Sequence, residues 1–195
     1  NLELFALRYS VGIVADQAIY DRVLRDVTAI HNADAAVAKI DYFPTSDGRS
    51  LFLSFETETA AQIASGDYHA WDCLNQTYQK TDLLLMSDKF GSYGTLTLKG
   101  IYDIARVAKQ YSALPGILSV SPNVGGGDGP TICLTRAGDV WHYVFDQAGG
   151  DCVAGCTEHD YHHFSTSLTG QVTGLGSLAP ADVEKYASYQ ACRGD

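Results

Sequence analysis

The sequence predicts an α+β fold in which helices cover one face of antiparallel or mixed sheets. Three observations carry that reading. Both halves of the chain begin with the order strand–helix–strand–strand. The helical stripes Ile19, Val23, Val27, Ile30 and Ile101, Ile104, Ala105, Ala108, Tyr111 fall between strand-like runs, not after all of them. Two aromatic runs inside Asp139–Ser165 flank a glycine-rich loop, the pattern of a long hairpin. Two ferredoxin-like (split β-α-β) halves, residues 1–90 and 91–195, plus a hairpin with a disulfide at its tip, accommodate that order. Two sub-domains of shared topology and one continuous sheet both satisfy it.

The elements follow in chain order. Leu2–Val14 is rich in strand formers and reads as a strand. Asp16 is placed to cap the helix of the first stripe, with Asp16, Asp21 and Asp26 on its solvent side. Ala36–Phe43 and Ser50–Phe55 read as strands around the turn Pro44-Thr45-Ser46-Asp47-Gly48. Thr57 is placed to cap a short helix that Gly66 ends, and Tyr68, Trp71, Asn75 and Tyr78 share one face of a second helical piece. Leu83–Met86 is a short buried strand and Gly94–Lys99 the next one. Leu114-Pro115-Gly116 stops the second stripe, and Ile117–Ser121 and Thr131–Thr135 return to strand. After the hairpin, Gly170–Ser177 reads as linker, and Pro180 opens a last helix to about Gln190.

The hairpin concentrates four of the six histidines and two of the five cysteines, and two chemistries fit it. If Cys152 and Cys156 are joined, the small ring stiffens the tip, and Gly149, Gly150 and Gly155 supply the backbone angles it needs. If they are thiolates, they and the histidines offer ligands for zinc or copper. His159, Tyr161 and His163 project to one face of a strand, and His142, Val144 and Asp146 to one face of its neighbour. A cross-strand set of His142, His159 and His163, with Asp146 or Glu158, satisfies either metal and makes a metal-dependent hydrolase the alternative to a binding protein. The three-residue spacer of the cysteine pair is not that of a structural zinc knuckle, and His-Glu-x-x-His does not occur.

Other motifs have plainer explanations. The run Gly125–Gly129 lacks the Lys-Ser/Thr of a phosphate loop and reads as a connection. No Gly-x-Ser-x-Gly nucleophile elbow is present. Cys73 beside His69 is a packed or bonded cysteine before it is a nucleophile, and Arg193-Gly194-Asp195 is a chance match to an adhesion tripeptide.

Composition narrows the function classes. A net charge of −10 opposes nucleic-acid binding, which requires a surplus of Lys and Arg, and opposes electrostatic docking on anionic membranes. No apolar run reaches membrane-spanning length, so membrane insertion is not expected. The close cysteine pair, the first residue Asn1 and the acceptor triplet Asn75-Gln76-Thr77 point to a secreted or periplasmic protein. The pairing of Cys73, Cys133 and Cys192 stays open.

The passage Tyr111-Ser-Ala-Leu-Pro-Gly-Ile-Leu-Ser-Val-Ser-Pro-Asn123 resembles the helix-to-strand passage of subtilase propeptides, over about a dozen residues of 195. That resemblance implies a ferredoxin-like inhibitor or chaperone whose sheet packs on surface helices of a subtilisin-like protease, with a tail in the substrate cleft. The chain departs from the family in having no helix after Ile132–Leu134 and no protease domain after it. Residues 98–164 also resemble uncharacterised exported bacterial proteins carrying Gly-Asp-Cys-x-x-Gly-Cys after a Trp-His-Tyr-Val-Phe strand, which brings no activity. The expectation is an exported, acidic, non-catalytic protein-binding module, a relative of protease inhibitors, with no cofactor.

Overall fold

The computed structural model describes residues 1–125, 128–153 and 155–178. The fold is α+β: helices and two four-stranded antiparallel sheets. The chain forms two compact units that interleave in sequence. One comprises residues 6–16 and 45–125, the other residues 1–5, 17–44 and the described residues from 128 on. A cut at residue 90 falls inside a hairpin of the first of these, so the expected halves 1–90 and 91–195 are not the structural units.

The unit of residues 45–125 runs β1 (Ser46–Phe55), α3 (Thr57–Ser65), α4 (Asp72–Thr77), β2 (Lys80–Asp88), β3 (Gly91–Leu98), α5 (Ile104–Tyr111) and β4 (Ile117–Val124). Here α1 is Leu2–Leu7 and α2 is Gln17–Ala33. The strand order β2-β3-β1-β4, antiparallel throughout, is the split β-α-β arrangement. Leu51, Leu53, Phe55, Leu96 and Leu98 of the sheet share one core with Ile63, Trp71, Ile104, Val107 and Tyr111, so the helices cover a single face. Buried tyrosines bind that layer together: Tyr111 donates to Asn75 Oδ1 (3.0 Å), Tyr78 to Gln110 Oε1 (2.9 Å) and Tyr68 to the Pro115 carbonyl (2.6 Å).

Two glycines are required by geometry. Gly116, at φ 75°, turns the chain from α5 into β4, and a Cβ there collides with the Thr59 side chain. A Cβ on Gly94 would stand 2.8 Å from the Leu84 carbonyl oxygen, so only glycine lets β2 and β3 approach so closely.

The other unit places α2 with the meander β5 (Thr131–Ala137), β6 (Val140–Gly149), β7 (Glu158–Thr166) and β8 (Val172–Leu178), in that order across the sheet. The expected stapled hairpin is β6–β7. The unit is a plain meander and not a second split β-α-β half.

Three further expectations are corrected. Leu2–Val14 is not a strand: Leu2–Leu7 is helical, and Phe5, Ala6 and Leu7 bury consecutively instead of alternating. Its Leu-Glu-Leu-Phe-Ala-Leu sequence is dominated by good helix formers. Ala36–Phe43 is a series of turns, because the Asp34 carboxylate accepts from Ala36 N (2.9 Å) and the Val37 and Ile40 amides close on Asp34 and Val37. Gly170–Ser177 is not linker but contains most of β8, an edge strand in which Gly176 takes φ 91°. The expected last helix from Pro180 lies outside the described residues, as do Cys192 and Arg193–Asp195.

Candidate functional site

The register of β6 and β7 decides what the hairpin histidines can do. Val144 pairs with His163, Asp146 with Tyr161 and Ala148 with His159, so His142, Asp146, His159 and His163 do share one face of the sheet. They form two separate pairs on it. His142 and His163 meet with ring centroids 5.4 Å apart. His159 turns away from them, stacked on Tyr161, with Nδ1 3.0 Å from both Asp146 oxygens and Nε2 3.1 Å from the Cys156 carbonyl oxygen. Both of its ring nitrogens are engaged. Among the described residues no group of three or more His, Cys, Asp or Glu side chains is placed to hold a metal ion. The set His142, His159 and His163 therefore does not converge, and Tyr161 is what separates its members.

Cys152 and Cys156 are joined in a disulfide. The loop they close is anchored twice, by the His159–Cys156 contact and by the Asp128 amide, which donates to the Cys152 carbonyl (2.9 Å). Cys133 is buried on β5 and disulfide-bonded, while Cys73 is exposed and free. His69 Nδ1 lies 2.9 Å from the Asp72 carboxylate. Asn75, the acceptor of the triplet, is half-buried on α4 and holds the Tyr111 hydroxyl.

The buried polar group that the sequence pattern concealed is Asp26. Asp16 and Asp21 are exposed as expected, but Asp26 is fully buried on the face of α2 that carries Val23, Val27 and Ile30. Its carboxylate accepts from the Thr166 hydroxyl (2.6 Å), the Tyr143 hydroxyl (3.2 Å) and the Arg25 guanidinium (2.7 Å), with Arg22 Nε at 3.4 Å. Burial, with the Asp26 carboxylate adjacent, pushes the Tyr143 hydroxyl far above the ordinary tyrosine range. Arg22 is also spent: it lies over the Trp141 ring, 3.9 Å from the centroid, and donates to the Asp139 carbonyl (2.7 Å). The shallow groove of about 580 Å³ beside Arg22, Arg25 and Trp141 is therefore walled by groups that already have partners. Every element of this network serves to seat α2 on the sheet.

The split β-α-β unit offers a surface of another kind. Its helices take one face of the sheet, and among the described residues the other face is left exposed. Two rows of residues cross that open face: Leu84, Thr95, Phe52 and Ser121, then Met86, Tyr93, Ser54 and Ser119. Phe52 and Tyr93 rings lie 5.8 Å apart, Leu84 is 58% exposed, and Phe90 at the β2–β3 turn is 84% exposed. Small hydroxyl side chains fill the remaining positions, with Ser54 and Ser119 hydrogen-bonded at 2.6 Å. Tyr93 donates to Asp88 (2.6 Å), and that bond holds the Asp88 carboxyl below its usual range.

No family model matches the chain, and no solved structure matches it. The site is read from its own geometry.

Phe52, Leu84, Met86 and Tyr93 are interspersed on this face with the uncharged hydroxyls of Thr95, Ser54, Ser119 and Ser121, which leaves its middle apolar and without charge. It has no nucleophile paired with a base, and Asp82 and Asp88 stand at its margin. Leu83–Met86, expected as a short buried strand, exposes Leu84 and Met86; the signal was the lack of polar alternation in Leu51–Leu53 and Leu83–Met86, where the residues facing away from the core are apolar too. A strand with one face against water does not need Phe52 or Leu84. No helix among the described residues is long and apolar enough to cross a membrane.

Proposed function

We propose that this chain is an exported, non-catalytic binding protein that docks a protein partner on the open face of the β2-β3-β1-β4 sheet. The partner class is a subtilisin-like protease, and the mode is the propeptide-like one that Tyr111–Asn123 resembles. The observation that carries this reading is the group of exposed Phe52, Leu84 and Met86 with half-buried Tyr93 on the side of the sheet away from the helices. Such side chains gain by leaving water, at about 25 cal/mol for each Å² of apolar surface covered. A four-stranded sheet face with exposed apolar side chains on β1 and β2 is suited to receive helices from a partner. The Leu114-Pro115-Gly116 turn supports the same reading, because it joins α5 to β4 within that same unit. The small, uncharged Ser54, Ser119, Thr95 and Thr97 side chains let a partner approach the strands closely.

Inhibition titrations against subtilisin-like proteases test the proposal. The expected result is one-to-one inhibition at or below micromolar concentration, lost by tenfold or more in Phe52→Asp, which removes an exposed ring without touching the core. A flat titration for the wild-type protein removes the inhibitor reading, and inhibition unchanged in Phe52→Asp removes the open face as its site.

A further inference from the structure

The second sheet is buried on a face that α2 does not cover. Through Arg22, Asp26 and His31, α2 packs on the side carrying Trp141, Tyr143 and Phe145. Cys133, Val144, Tyr161 and His163 project to the other side, in register across β5, β6 and β7. There Cys133 and Val144 are fully buried, and Tyr161 and His163 nearly so. Leu178 is the described side chain packed against that cluster. It stands on β8, beside Tyr161 and three strands from Cys133, so it covers the rim and not the middle. A sheet face is sealed from water only under a second layer.

The cysteines identify that layer. Cys133 is disulfide-bonded. Cys152 and Cys156 are bonded to each other and Cys73 is free, so of the five cysteines only Cys192 can be its partner. The reach fits. From Leu178 to Cys133 is three strand spacings and one step of two residues along the strands, roughly 16 Å. The helix that the sequence predicts from Pro180 to about Gln190 spans roughly 16 Å as well, at about 1.5 Å per residue. Such a helix starts where β8 ends and delivers Cys192 over β5. Val183, Tyr186 and Ala187 fall on one side of it, with Lys185 and Ser188 opposite. That stripe is the apolar side a covering layer requires.

We propose that Cys192 is bonded to Cys133 and that residues 179–195 form a strap across the second sheet, closing the face that holds His142 and His163. The bond forms by exchange: Cys133 and Cys192 each give up a thiol hydrogen, their sulfurs join, and a disulfide oxidant such as oxidised glutathione is reduced to two thiols. The strap ties the first strand of the meander to the segment that follows the last, so it links the two edges of the sheet. It also takes the histidine face out of contact with solutes while the bond is intact. The docking reading of the first sheet does not depend on it.

Mass spectrometry of the full chain tests the bond, with free thiols blocked by iodoacetamide and digestion carried out without reductant. The expected map links the peptides of Cys133 and Cys192 and finds the label on Cys73. A labelled Cys133 or Cys192, or either one linked elsewhere, overturns the proposal. Histidine modification by diethyl pyrocarbonate tests the covering. In Cys192→Ser carrying Val183→Asp, which removes the bond and interrupts the apolar stripe, modification of His163 should speed up by about tenfold or more. Cys192→Ser alone, which keeps the stripe, should fall between that variant and the wild-type protein. His31, on the α2 side, and the exposed His69 should keep their wild-type rates. A His163 rate unchanged in both variants overturns the covering layer even where the bond is found. A rise shared equally by His31 in both variants also overturns it, because the face then opens only as the whole unit unfolds.

Discussion

The two sheets of this protein handle their faces in opposite ways. In β2-β3-β1-β4 one face is packed under helices and the other meets solvent carrying Phe52, Leu84, Met86 and Tyr93. In β5-β6-β7-β8 both faces of the central strands are buried, and the polar groups there have partners close at hand: Asp26 with Tyr143 and Thr166, His159 with Asp146. The difference separates two uses of similar residues. Histidines, an aspartate and a tyrosine look like chemistry in a sequence, yet they are the internal fastenings of the second sheet. Leucine, methionine and phenylalanine look like core, yet in the first sheet Phe52, Leu84 and Met86 face outward.

The largest expected effect separates two phenylalanines. Phe145→Ala, at a fully buried position between His31 and Phe164, should lower unfolding free energy by about 3–5 kcal/mol in urea titrations. Phe52→Ala should change it by no more than about 0.5 kcal/mol while weakening partner binding. Equal losses at both positions would erase the distinction between the sheets.

Asp26→Ala should cost about 3 kcal/mol, because it strands the Tyr143 and Thr166 hydroxyls and two guanidinium groups around a vacated carboxylate. A loss below about 1 kcal/mol in denaturant unfolding would mean that α2 is held by its apolar stripe alone. Cys152→Ser should cost at most about 2 kcal/mol, the chain-entropy value for so small a ring. Amide exchange should then speed up around residues 150–157 and stay unchanged in β1–β4.

The smallest effect is a pH dependence. Burial, then the neighbouring His142, lowers the His163 pKa below 6.5. In the unfolded chain His163 takes up its proton near 6.5, whereas in the folded protein it does so only at lower pH. Its contribution to stability is therefore complete above 6.5 and is lost as pH falls from there through the folded value. Urea midpoints at pH 7.5 and 5.5 should diverge more for the wild-type protein than for His163→Gln; equal divergence would show that His163 is not a source of the slope.

Much of the fold was legible in the sequence, because periodicity and turn chemistry agreed. The stripe ending at Tyr111, the stop at Leu114-Pro115-Gly116 and the hairpin around Cys152 and Cys156 each had a local cause. Leu2–Leu7 was misread because strand-forming content was weighed above spacing. Ala36–Phe43 was misread because Asp34 forms turns that outweigh the following valine and isoleucine. Asp26 was legible in principle: it sits between Val23 and Val27 on the buried stripe, three residues after one and four before Ile30. Its acidity argued for solvent, and only the tertiary fold could bring Tyr143 and Thr166 to it from more than a hundred residues away. The histidine faces followed from strand alternation, but whether their rings converge depended on register, which no local pattern encodes.

If recognition belongs to the first sheet and fastening to the second, a bound partner should mark only the first. Hydrogen–deuterium exchange of the full chain with and without a bound subtilisin-like protease tests it directly. The account predicts new protection in β1, β2 and β3 around Phe52, Leu84 and Tyr93, with β6 and β7 unchanged. Protection confined to the β6–β7 hairpin and its Cys152–Cys156 loop would contradict it.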